Sequence, residues 1–348
     1  MRVLLDMTYA LRGPSGTGVY VECLSKALEA EGVDVVHAAD TGRPPPAGGG
    51  AASARNLARD VWWTQVALPR QARRAGADVL HHPLPALARG ARCPQVVTVH
   101  DLAFERLPEH FAPAFRRWAS VTHRRAASRA DAVVCVSQTT RRDALARWGL
   151  DDARIVVAAH GPGQELAVPS VRAEHFLYVG DDEPRKNLAL LLEAHARYRK
   201  TAGDRALDLV LAGSARALGD GVRHEPEPDL AALLGGAAAL VHPALYEGFG
   251  LTALEAMGAG VPVIAARSPG LAETCADAVL YVDPHDADGL ADALGRVAAE
   301  PALRAALAAR GRDRAAAFSW RASARAHIEA YTLAAMSEPH HTEHADPR

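Results

Sequence analysis

The stretch YEGFGLTALEAMGAGVPVIAA, residues 246–266, reads as a loop, a helix and a buried strand in direct succession. Gly248 and Gly250 allow a sharp turn, and LTALEAMGA then has helical spacing. The run VPVIAA is short and apolar, which is typical of a buried strand in a parallel sheet. Two glutamates, Glu247 and Glu255, stand at the start of this loop and within the helix. The order of elements predicts an α/β fold with polar groups after a strand.

Short β-rich runs alternate with helical segments on both sides of this stretch. The first series extends from RVLLD to RIVVAA, and the second extends from HFLYVG to AVLYVD and continues in helices to about residue 336. Such alternation predicts a parallel sheet with helices on both faces. A chain of 348 residues is also too long for one ordinary core. We therefore predict two doubly wound α/β domains facing a central cleft.

The predicted boundaries follow from composition. The segment 161–170 is rich in Gly and Pro and reads as a linker, and 41–54 reads as a flexible surface loop. The polar end of the chain has no hydrophobic periodicity and reads as disordered. We predict a first domain at 1–165, a second at 166–319, a helix at 320–336 that packs back on the first domain, and a disordered tail at 337–348.

Composition excludes several classes of protein. Hydrophobic residues make up 49% and charged residues 23%, and no apolar run approaches the roughly 18 residues of a membrane span. A net charge of -2 argues against a dedicated nucleic-acid binder. The start MRVLLDMTYALRG reads as a strand and not as a signal peptide, which predicts a cytoplasmic protein. The four cysteines form no C-x-x-C and are predicted to be free.

Glu247 and Glu255 do not have the spacing of a glycosidase pair. Eight residues along a helix span roughly 12 Å, whereas retaining hydrolases need their carboxyl groups about 5 to 5.5 Å apart. The two carboxylates are better suited to hold different parts of one extended ligand. Free backbone N–H groups at the start of the helix can bind an anion or sugar hydroxyls.

The same stretch resembles the E-x7-E signature of retaining glycosyltransferases of family 4, which have the GT-B fold of two Rossmann-like domains. Four other segments resemble this family in the same order, especially its bacterial mannosyltransferase-like branch: DVLHHP, PQVVTVHDLAFERLPEHF, RADAVVCVSQTTRRD and YVGDDEPRKNLALLLEAH. The resemblance covers about residues 1 to 335. It implies an acceptor-binding N-terminal domain and a C-terminal domain that binds a nucleotide-sugar donor.

The resemblance assigns roles in the donor site. It places Glu247 on the donor sugar hydroxyls and Glu255 on the nucleotide ribose. The backbone of Gly248, Phe249, Gly250 and Leu251 would then meet the sugar and phosphate.

A second motif, PRKN at 184–187, follows the strand HFLYVG and opens a helix. Lys186 there can neutralise a diphosphate, and the resemblance gives it this catalytic role. The family often has an arginine directly after the strand glycine, where this chain has Asp181. Either Arg185 substitutes for that arginine, or Lys186 and the backbone hold the phosphate alone.

The loop GPSGTGVYVE carries Gly13, Gly16 and Gly18 before a helix. Their order is not that of a dinucleotide fingerprint, and some eight residues separate them from the preceding strand. This argues against a nicotinamide-dependent oxidoreductase. The resemblance implies instead that Gly16 and Gly18 let the backbone approach the donor phosphates.

His100 ends the strand QVVTVH and is followed by Asp101, so both are expected to point into the cleft. A lone histidine is more often structural, but the resemblance implies that His100 lies against the reacting sugar. Asp101 could orient His100 or the acceptor hydroxyl. We predict that His81 and His82 line the cleft and that His160 lies on a turn facing it, and we assign these three no role.

Two further patterns, a D-x-D motif and a basic helix, each have a functional and a simpler structural explanation. Asp286 and Asp288 form a D-x-D that could hold a metal, but their place before GLADALGRVA favours helix capping, and we expect no metal requirement. The helix at 112–129 mixes five arginines with Phe115, Trp118 and Val121. It could lie on anionic lipid. The favoured reading is a helix that packs its aromatic face on the sheet.

The resemblance implies a retaining glycosyltransferase, and we expect it to be independent of metal. It would move a hexose, with mannose as the best guess, from a GDP- or UDP-linked donor to a hydroxyl of a glycan, lipid carrier or small metabolite, without a further cofactor. The alternative is a non-catalytic nucleotide-sugar-binding partner of an active transferase. Asp181 and the short segment SARALGDGVRHEPEPDL leave room for that alternative.

Overall fold

The computed structural model describes residues 1–12, 15–42, 50–163 and 173–337. The predicted loop at 41–54, the linker at 161–170 and the tail at 337–348 lie partly or largely outside these residues, and so does Gly13. The chain divides into two compact units. The first comprises Met1–Glu105, Phe111–Gly161 and the chain from Trp320 onwards, and the second comprises Arg106–His110 and Pro162–Ser319. The predicted boundaries placed residues 106–110 in the first domain, whereas they belong to the second unit.

The first unit contains a parallel six-stranded sheet in the order β2-β1-β3-β4-β5-β6. Its strands are short, apolar and largely buried, as parallel strands covered on both faces must be. They are β1 (Arg2–Asp6), β2 (Asp34–Ala38), β3 (Val79–His82), β4 (Gln95–Val99), β5 (Ala132–Cys135) and β6 (Ile155–Val157).

Helices connect these strands and cover the sheet on both faces. A π-helical stretch at Trp63–Ala67 separates α2 from α3. The helices of this unit are α1 (Gly16–Ala30), α2 (Gly50–Trp62), α3 (Leu68–Ala75), α4 (Ala103–Arg106), α5 (Pro113–Arg129), α6 (Gln138–Asp143) and, from the far end of the chain, α13 (Trp320–Met336).

The two faces of this sheet bury different helices. Side chains that are opposite in a parallel register, or two residues apart, lie on the same face. One face therefore carries Leu4, Leu80, Val97 and Val133. Helix α3 packs on the Leu4 and Leu80 side of this face, and α5 packs on the Val97 and Val133 side. Helices α1 and α13 pack on the opposite face.

Helix α5 does not pack in the way the sequence favoured. Its buried positions are Ala119, Ala126 and Ala127, whereas Phe115 and Trp118 each keep 44% of their surface exposed. The prediction that the aromatic face contacts the sheet is therefore wrong. Small alanine side chains let the helix approach the β4 and β5 valines closely, and this leaves the larger rings outside.

The second unit contains another parallel six-stranded sheet, in the order β12-β11-β10-β7-β8-β9. Strand β9 lies in the segment SARALGDGVRHEPEPDL, where the sequence predicted none. Three of its four residues, Arg223, His224 and Glu225, are polar, and none of the four is fully buried, which suits an edge strand. The strands are β7 (His175–Val179), β8 (Asp208–Ala212), β9 (Val222–Glu225), β10 (Ala237–His242), β11 (Val263–Ala266) and β12 (Leu280–Val282).

The helices of the second unit flank this sheet in the same manner. They are α7 (Leu188–Ala202), α8 (Leu230–Gly236), α9 (Leu251–Gly258), α10 (Pro269–Cys275), α11 (Ala287–Ala299) and α12 (Pro301–Ala315). Helices α7 and α11 bury apolar residues against β7, β8 and β10 in one core cluster. Both units are thus doubly wound α/β domains, which confirms the predicted fold class.

None of the four cysteines forms a disulfide, as predicted, and Cys135 and Cys275 are buried while Cys23 and Cys93 are partly buried. Within the described ranges, no helix has both the length and the apolar character needed to cross a bilayer.

Candidate functional site

The loops at the carboxyl ends of β7 and β10 bring the predicted donor-site residues of the second unit together. The loop after β7 leads into a 3-10 turn at Pro184–Lys186, and the loop after β10 carries Glu247 before α9. The carboxyl ends of parallel strands share one edge of a sheet, where such folds bind ligands. The two motifs, 61 residues apart in sequence, meet at this edge.

Glu247 is the centre of this group. Its side chain is 12% exposed, and its Oε1 atom accepts a hydrogen bond from Lys186 Nζ. The same oxygen lies 3.6 Å from an Arg185 guanidinium nitrogen. Burial alone would raise the pKa of Glu247, but the nearby Lys186 and Arg185 charges outweigh this and lower the pKa to about 2. The carboxylate is therefore ionised at neutral pH and can only accept hydrogen bonds.

His242, at the end of β10, is a third neighbour of this carboxylate. Its Nε2 lies 3.8 Å from Glu247 Oε1. Burial lowers the pKa of His242 to about 4, so the ring is neutral at pH 7 and the positive charge near Glu247 comes from Lys186 and Arg185. Sequence reasoning missed His242. A histidine that ends a strand in the same sheet as the other site loops was the available signal.

Backbone and amide bonds fix the Pro184–Lys186 turn to the neighbouring loops. Leu245 N–H donates to the Arg185 carbonyl at 2.9 Å, which ties the turn to the loop before Glu247. Asn187 adopts a left-handed conformation, with φ of 59°. Its side-chain amide donates to the carbonyls of Pro243 at 3.2 Å and Pro284 at 2.8 Å. Asn187 thereby joins three loops at one edge of the sheet, a role that the sequence did not indicate.

The start of α9 requires a glycine. Gly250 has a φ of +94°, and a Cβ atom on it would lie 2.6 Å from Leu271 Cδ2. Phe249 is buried, and its carbonyl accepts a hydrogen bond from Thr274 Oγ1 at 2.5 Å. One turn into α9, Glu255 is 8% exposed. The E-x7-E glutamates are thus both largely buried, one before the helix and one within it.

Asp181, which stands where the family often has arginine, faces β8. Its carboxylate accepts a hydrogen bond from Ser214 Oγ, and its carbonyl accepts one from Tyr178 OH at 2.9 Å. Arg185 instead donates to Glu183 at 2.8 Å and lies beside Glu247. The positive charge nearest to Glu247 therefore comes from the Pro184–Lys186 turn.

In the glycine loop of the first unit, the two described glycines, Gly16 and Gly18, have different surroundings. Ser15 caps α1, and its hydroxyl accepts a hydrogen bond from Gly18 N–H at 3.0 Å. A Cβ atom on Gly18 would lie 3.2 Å from the Tyr9 carbonyl oxygen, whereas a Cβ on Gly16 would meet nothing within 4 Å. Gly18 is needed for close packing and its N–H is taken. Gly16 has open space in front of it, which leaves it as the better candidate for a ligand contact.

His100 follows β4 and is held by the backbone. Its Nε2 donates to the Pro83 carbonyl at 2.9 Å, which leaves Nδ1 as the acceptor nitrogen of the neutral ring. Burial lowers the pKa of His100 to about 4. Asp101 accepts a hydrogen bond from Ala103 N–H at 2.9 Å at the start of α4. Asp101 also contributes a negative charge near His100, and its roles in orienting His100 and in contacting an acceptor stay predictions.

A buried polar network lies behind His100. Tyr20 packs edge-on against the His100 ring at 4.8 Å between centroids, and its hydroxyl lies 2.8 Å from both Thr98 Oγ1 and His327 Nε2. His81 continues this network, with its ring nitrogens 2.8 Å from Thr98 Oγ1 and from Tyr331 OH. The network links α1, β3, β4 and α13 within the first unit.

The prediction that His81 lines a cleft is wrong, because this side chain has no exposed surface and both of its ring nitrogens lie within hydrogen-bond distance of the network. His82 is also buried, with Nε2 3.1 Å from Gln95 Oε1, and it lines a cavity of about 30 Å³. His160 is buried as well, and it stacks on Trp320 at 5.5 Å. The sequence could not separate these positions, since each lies at or just after the end of a strand.

One of the two aspartates of the D-x-D motif caps a helix. Asp286 accepts a hydrogen bond from Gly289 N–H at 2.9 Å at the start of α11, as predicted. Asp288 is in an ion pair with Arg197. In the part of the chain that the structure describes, no three His, Cys, Asp or Glu side chains are close enough to hold a metal ion together.

The arrangement in the second unit suits an extended, partly anionic ligand. A buried carboxylate can accept hydrogen bonds from hydroxyl groups. The adjoining ammonium and guanidinium groups can bind phosphate oxygens. The start of α9, where the first N–H groups of a helix have no partner within the helix, lies between the two glutamates.

Comparison with known proteins agrees with this geometry. Residues 171–314 match the family described as glycosyl transferases group 1, and residues 14–162 match glycosyltransferase family 4. The O-antigen chain mannosyltransferase B of Escherichia coli is 28% identical over 68% of this chain and 70% of its own length. The D-inositol 3-phosphate glycosyltransferase of Nocardiopsis dassonvillei is 37% identical over 53% of this chain, but over only 44% of its own length.

Solved structures show the same fold. The sucrose-phosphate synthase of Thermosynechococcus elongatus matches with a TM-score of 0.75 and 23% identity, over 95% of this chain and 98% of that one. Anabaena Alr3699/HepE in complex with UDP-glucose matches with a TM-score of 0.71 and 16% identity, over 95% and 99% of the two chains. The fold class is therefore GT-B, built from two Rossmann-like domains. With both domains matched, the chain belongs to the family 4 and group 1 glycosyltransferases.

Proposed function

We propose that this chain transfers a hexose from a nucleotide-diphosphate sugar to an acceptor hydroxyl, with retention of the anomeric configuration. The observation that carries this proposal is the buried, ionised Glu247 in contact with Lys186 and near Arg185. A carboxylate beside two cations matches a ligand in which sugar hydroxyls adjoin a diphosphate. Mannose is the first candidate for the sugar, because the O-antigen relative is a mannosyltransferase.

In the proposed site, Glu247 accepts hydrogen bonds from the donor sugar and Glu255 binds the ribose. Lys186 shifts its contact from Glu247 to the diphosphate when the donor is bound, and Arg185 adds a second cation in place of the family arginine. Gly248, Phe249, Gly250 and Leu251 supply backbone contacts. In the first unit, Gly16 and Gly18 form the glycine loop, His100 lies against the sugar, and Asp101 contacts the acceptor.

The proposed reaction follows from the family resemblance and this charge distribution. The acceptor oxygen forms a bond to the anomeric carbon while the bond from that carbon to the diphosphate oxygen breaks. The acceptor proton passes to the departing phosphate. Preorganised cations around the diphosphate stabilise the negative charge that develops there, which is the largest contribution the protein can make. We propose that this chemistry needs no metal ion and takes place in the cytoplasm.

Calorimetric titration with GDP, UDP, ADP and dTDP in EDTA tests the donor site before an acceptor is known. We expect one nucleotide to bind, with GDP the first candidate and UDP, the nucleotide of the HepE donor, the second. Glu255→Ala and Lys186→Ala should each abolish that binding. No binding by any of the four nucleotides would contradict the proposal.

Asp181 stands where the family often has an arginine, and this favours one alternative: a non-catalytic partner that binds nucleotide sugars without turning them over. Product formation from the identified donor and a panel of hydroxyl acceptors separates the two functions. Donor binding without transfer to any acceptor would support the alternative.

A further inference from the structure

A small cavity lies at the carboxyl ends of β1 and β3 in the first unit. Its volume of about 30 Å³ is room for one group the size of a water molecule or an ammonium ion. Part of its wall comes from the π-helical stretch after α2, a rare kind of turn that is frequent at functional sites. The polar and aromatic residues that line it are Asp6, Tyr9, Asp60, Trp63, Thr64 and His82.

Asp6 is a buried carboxylate without a cation beside it. It is 5% exposed, and its Oδ1 accepts hydrogen bonds from the Thr8 N–H at 3.0 Å and the Thr8 hydroxyl at 2.5 Å. Its Oδ2 accepts one from Trp63 Nε1–H at 3.1 Å. All three donors are neutral, and within the described ranges no lysine or arginine lies within ion-pair distance of Asp6. Buried charges in proteins are ordinarily paired, so a counterion is expected from a ligand.

The other polar groups of the cavity favour a ligand that donates hydrogen bonds. His82 Nε2–H donates to Gln95 Oε1, and burial lowers the pKa of His82, so its ring is neutral at pH 7 and Nδ1 can only accept. Asp60 adds a second carboxylate, and the face of the Trp63 ring attracts cations. An ammonium group has three donors, no acceptor and a positive charge, which matches all of these groups.

We propose that the acceptor carries a primary amine in addition to the hydroxyl that reacts, and that its ammonium group binds in this cavity against Asp6. The inference rests on the proposed hexose transfer. Pro83 connects the cavity to the residue predicted to lie against the donor sugar, because it lines the cavity and its carbonyl accepts the hydrogen bond from His100 Nε2 at 2.9 Å. An acceptor anchored by its amine would therefore have its hydroxyl groups near His100.

Other occupants fit less well. A phosphorylated acceptor would meet two carboxylates, and no lysine or arginine lines the described cavity. A neutral hydroxyl or a water molecule has a suitable size, but it would leave the charge of Asp6 uncompensated. A metal ion would have too few ligands, since no group of three His, Cys, Asp or Glu side chains suited to a metal occurs in the described ranges.

Titration of the full chain with small probes, followed by NMR of the probe, tests the inference without a donor. D-glucosamine is compared at pH 7 and constant ionic strength with D-glucose, N-acetyl-D-glucosamine and glucose 6-phosphate. We expect glucosamine to bind at least about tenfold more tightly than the other three, because hydrogen bonds between charged groups are the stronger ones. Methylammonium chloride should displace glucosamine, whereas sodium chloride at the same concentration should not.

Two variants locate the binding site. Asp6→Asn should lower the affinity for glucosamine at least about tenfold and leave that for glucose nearly unchanged. Because Asp6 also holds Thr8 and Trp63, the second variant, Thr64→Lys, keeps this carboxylate and supplies a tethered ammonium that competes for the cavity; it should abolish the preference for glucosamine. The control is Asp34→Asn, which neutralises a 54% exposed carboxylate at the start of β2 and should bind glucosamine like the wild type. Thermal melts establish that each variant is folded.

Three outcomes would overturn the inference: equal affinity for glucosamine and glucose, tighter binding of glucose 6-phosphate, or a preference for the amine that survives in both Asp6→Asn and Thr64→Lys. Nucleotide titration separates this failure from that of the proposed function. Nucleotide binding without a preference for the amine would contradict the inference alone. A preference for the amine without binding of any nucleotide would contradict the proposed transfer and leave a cation site at Asp6.

Discussion

A Cβ atom on Gly270, at the start of α10, would overlap the carbonyl oxygen of Glu247. The backbone of the proposed donor site therefore passes directly over a position that only glycine can occupy. Because Glu247 is held at its side chain by Lys186 and at its backbone by this close approach, its carboxylate is fixed in two ways.

The first prediction concerns Gly270→Ala. The added methyl group must push the Glu247 loop outward, which separates Glu247 from Lys186. We expect the free energy of unfolding to fall by about 1–3 kcal/mol and nucleotide affinity to fall at least about tenfold. Urea denaturation and calorimetric titration measure the two effects.

The control for this change is Gly295→Ala, within α11. A Cβ atom there would lie 3.9 Å from Tyr198 Cδ2, which is an ordinary contact. Alanine in a helix is favoured over glycine by about 1 kcal/mol, so this variant should be as stable as the wild type or more so. Wild-type binding and stability in Gly270→Ala would show that the loop is not held there.

The second prediction concerns the pair of Glu247 and Lys186. Glu247→Gln removes the carboxylate that pairs with the largely buried Lys186, while Arg185 keeps its bond to Glu183, and this should cost about 1–3 kcal/mol of unfolding free energy. Lys186→Met should lower transfer by about 100-fold, because it removes a cation from the proposed diphosphate site. The double variant should be less destabilised than the sum of the two single variants.

An exposed ion pair provides the comparison. Glu193 and Arg197 pair on the surface of α7, with side chains 55% and 41% exposed. Glu193→Gln should change neither stability nor transfer measurably, since solvent screens such pairs. Strictly additive losses in the Glu247 and Lys186 cycle would mean that the two side chains do not depend on each other.

Much of the second unit could be predicted because its site motifs lie next to the strands that position them in the sequence. The apolar runs of β7 and β10 and the motifs after them fix which side chains reach one sheet edge, and Glu247 meets Lys186 there. Asn187 and Gly270 were missed for a physical reason. Their importance lies in contacts with the carbonyls of Pro243, Pro284 and Glu247, and a backbone carbonyl has no sequence signature.

The first unit was harder to predict because its polar contacts are distant in sequence. Tyr20 and His327 are 307 positions apart, and His81 and Tyr331 are 250 apart. A histidine after a strand is compatible with a cleft or a core, and only the fold decides. The surface of α5 was ambiguous in the same way, because either its alanines or its aromatic residues could have faced the sheet.

The third prediction is that stability declines as pH falls below about 6.5. Burial lowers the pKa of His100, His242 and His327 to about 4 each, so the folded chain keeps these rings neutral. Unfolded histidines have pKa values near 6.5. Between these values the unfolded chain binds more protons, so the free energy of unfolding must decrease as pH falls from about 6.5 to about 4.

Urea denaturation at pH 7.5, 6.5, 5.5 and 4.5 measures this decline. The contribution of Glu247 is lost only at lower pH, from about 4.5 towards its pKa of about 2, so the two windows are distinct. His327→Gln should reduce the slope below pH 6.5. A constant free energy of unfolding from pH 7.5 to 5.5 would contradict the assignment of neutral buried histidines.

The fourth prediction separates the ring of Tyr20 from its hydroxyl. Tyr20→Phe removes the hydroxyl that lies 2.8 Å from Thr98 and from His327, and it leaves both without this partner. This should cost about 1–3 kcal/mol of unfolding free energy. The ring stays edge-on against His100, so transfer by the folded enzyme should be close to that of the wild type.

Tyr20→Leu removes the aromatic edge as well. We expect it to lower transfer further than Tyr20→Phe at equal fraction folded, because His100 loses one of the rings that hold it in place. Tyr281→Phe is the control: its hydroxyl donates a single, longer bond of 3.3 Å to the Leu271 carbonyl, and its loss should cost less than that of the Tyr20 hydroxyl. If Tyr20→Phe and Tyr281→Phe were equally stable, the buried network would not stabilise the attachment of α13 to this unit. If Tyr20→Phe and Tyr20→Leu gave equal transfer, the position of His100 would not depend on the Tyr20 ring.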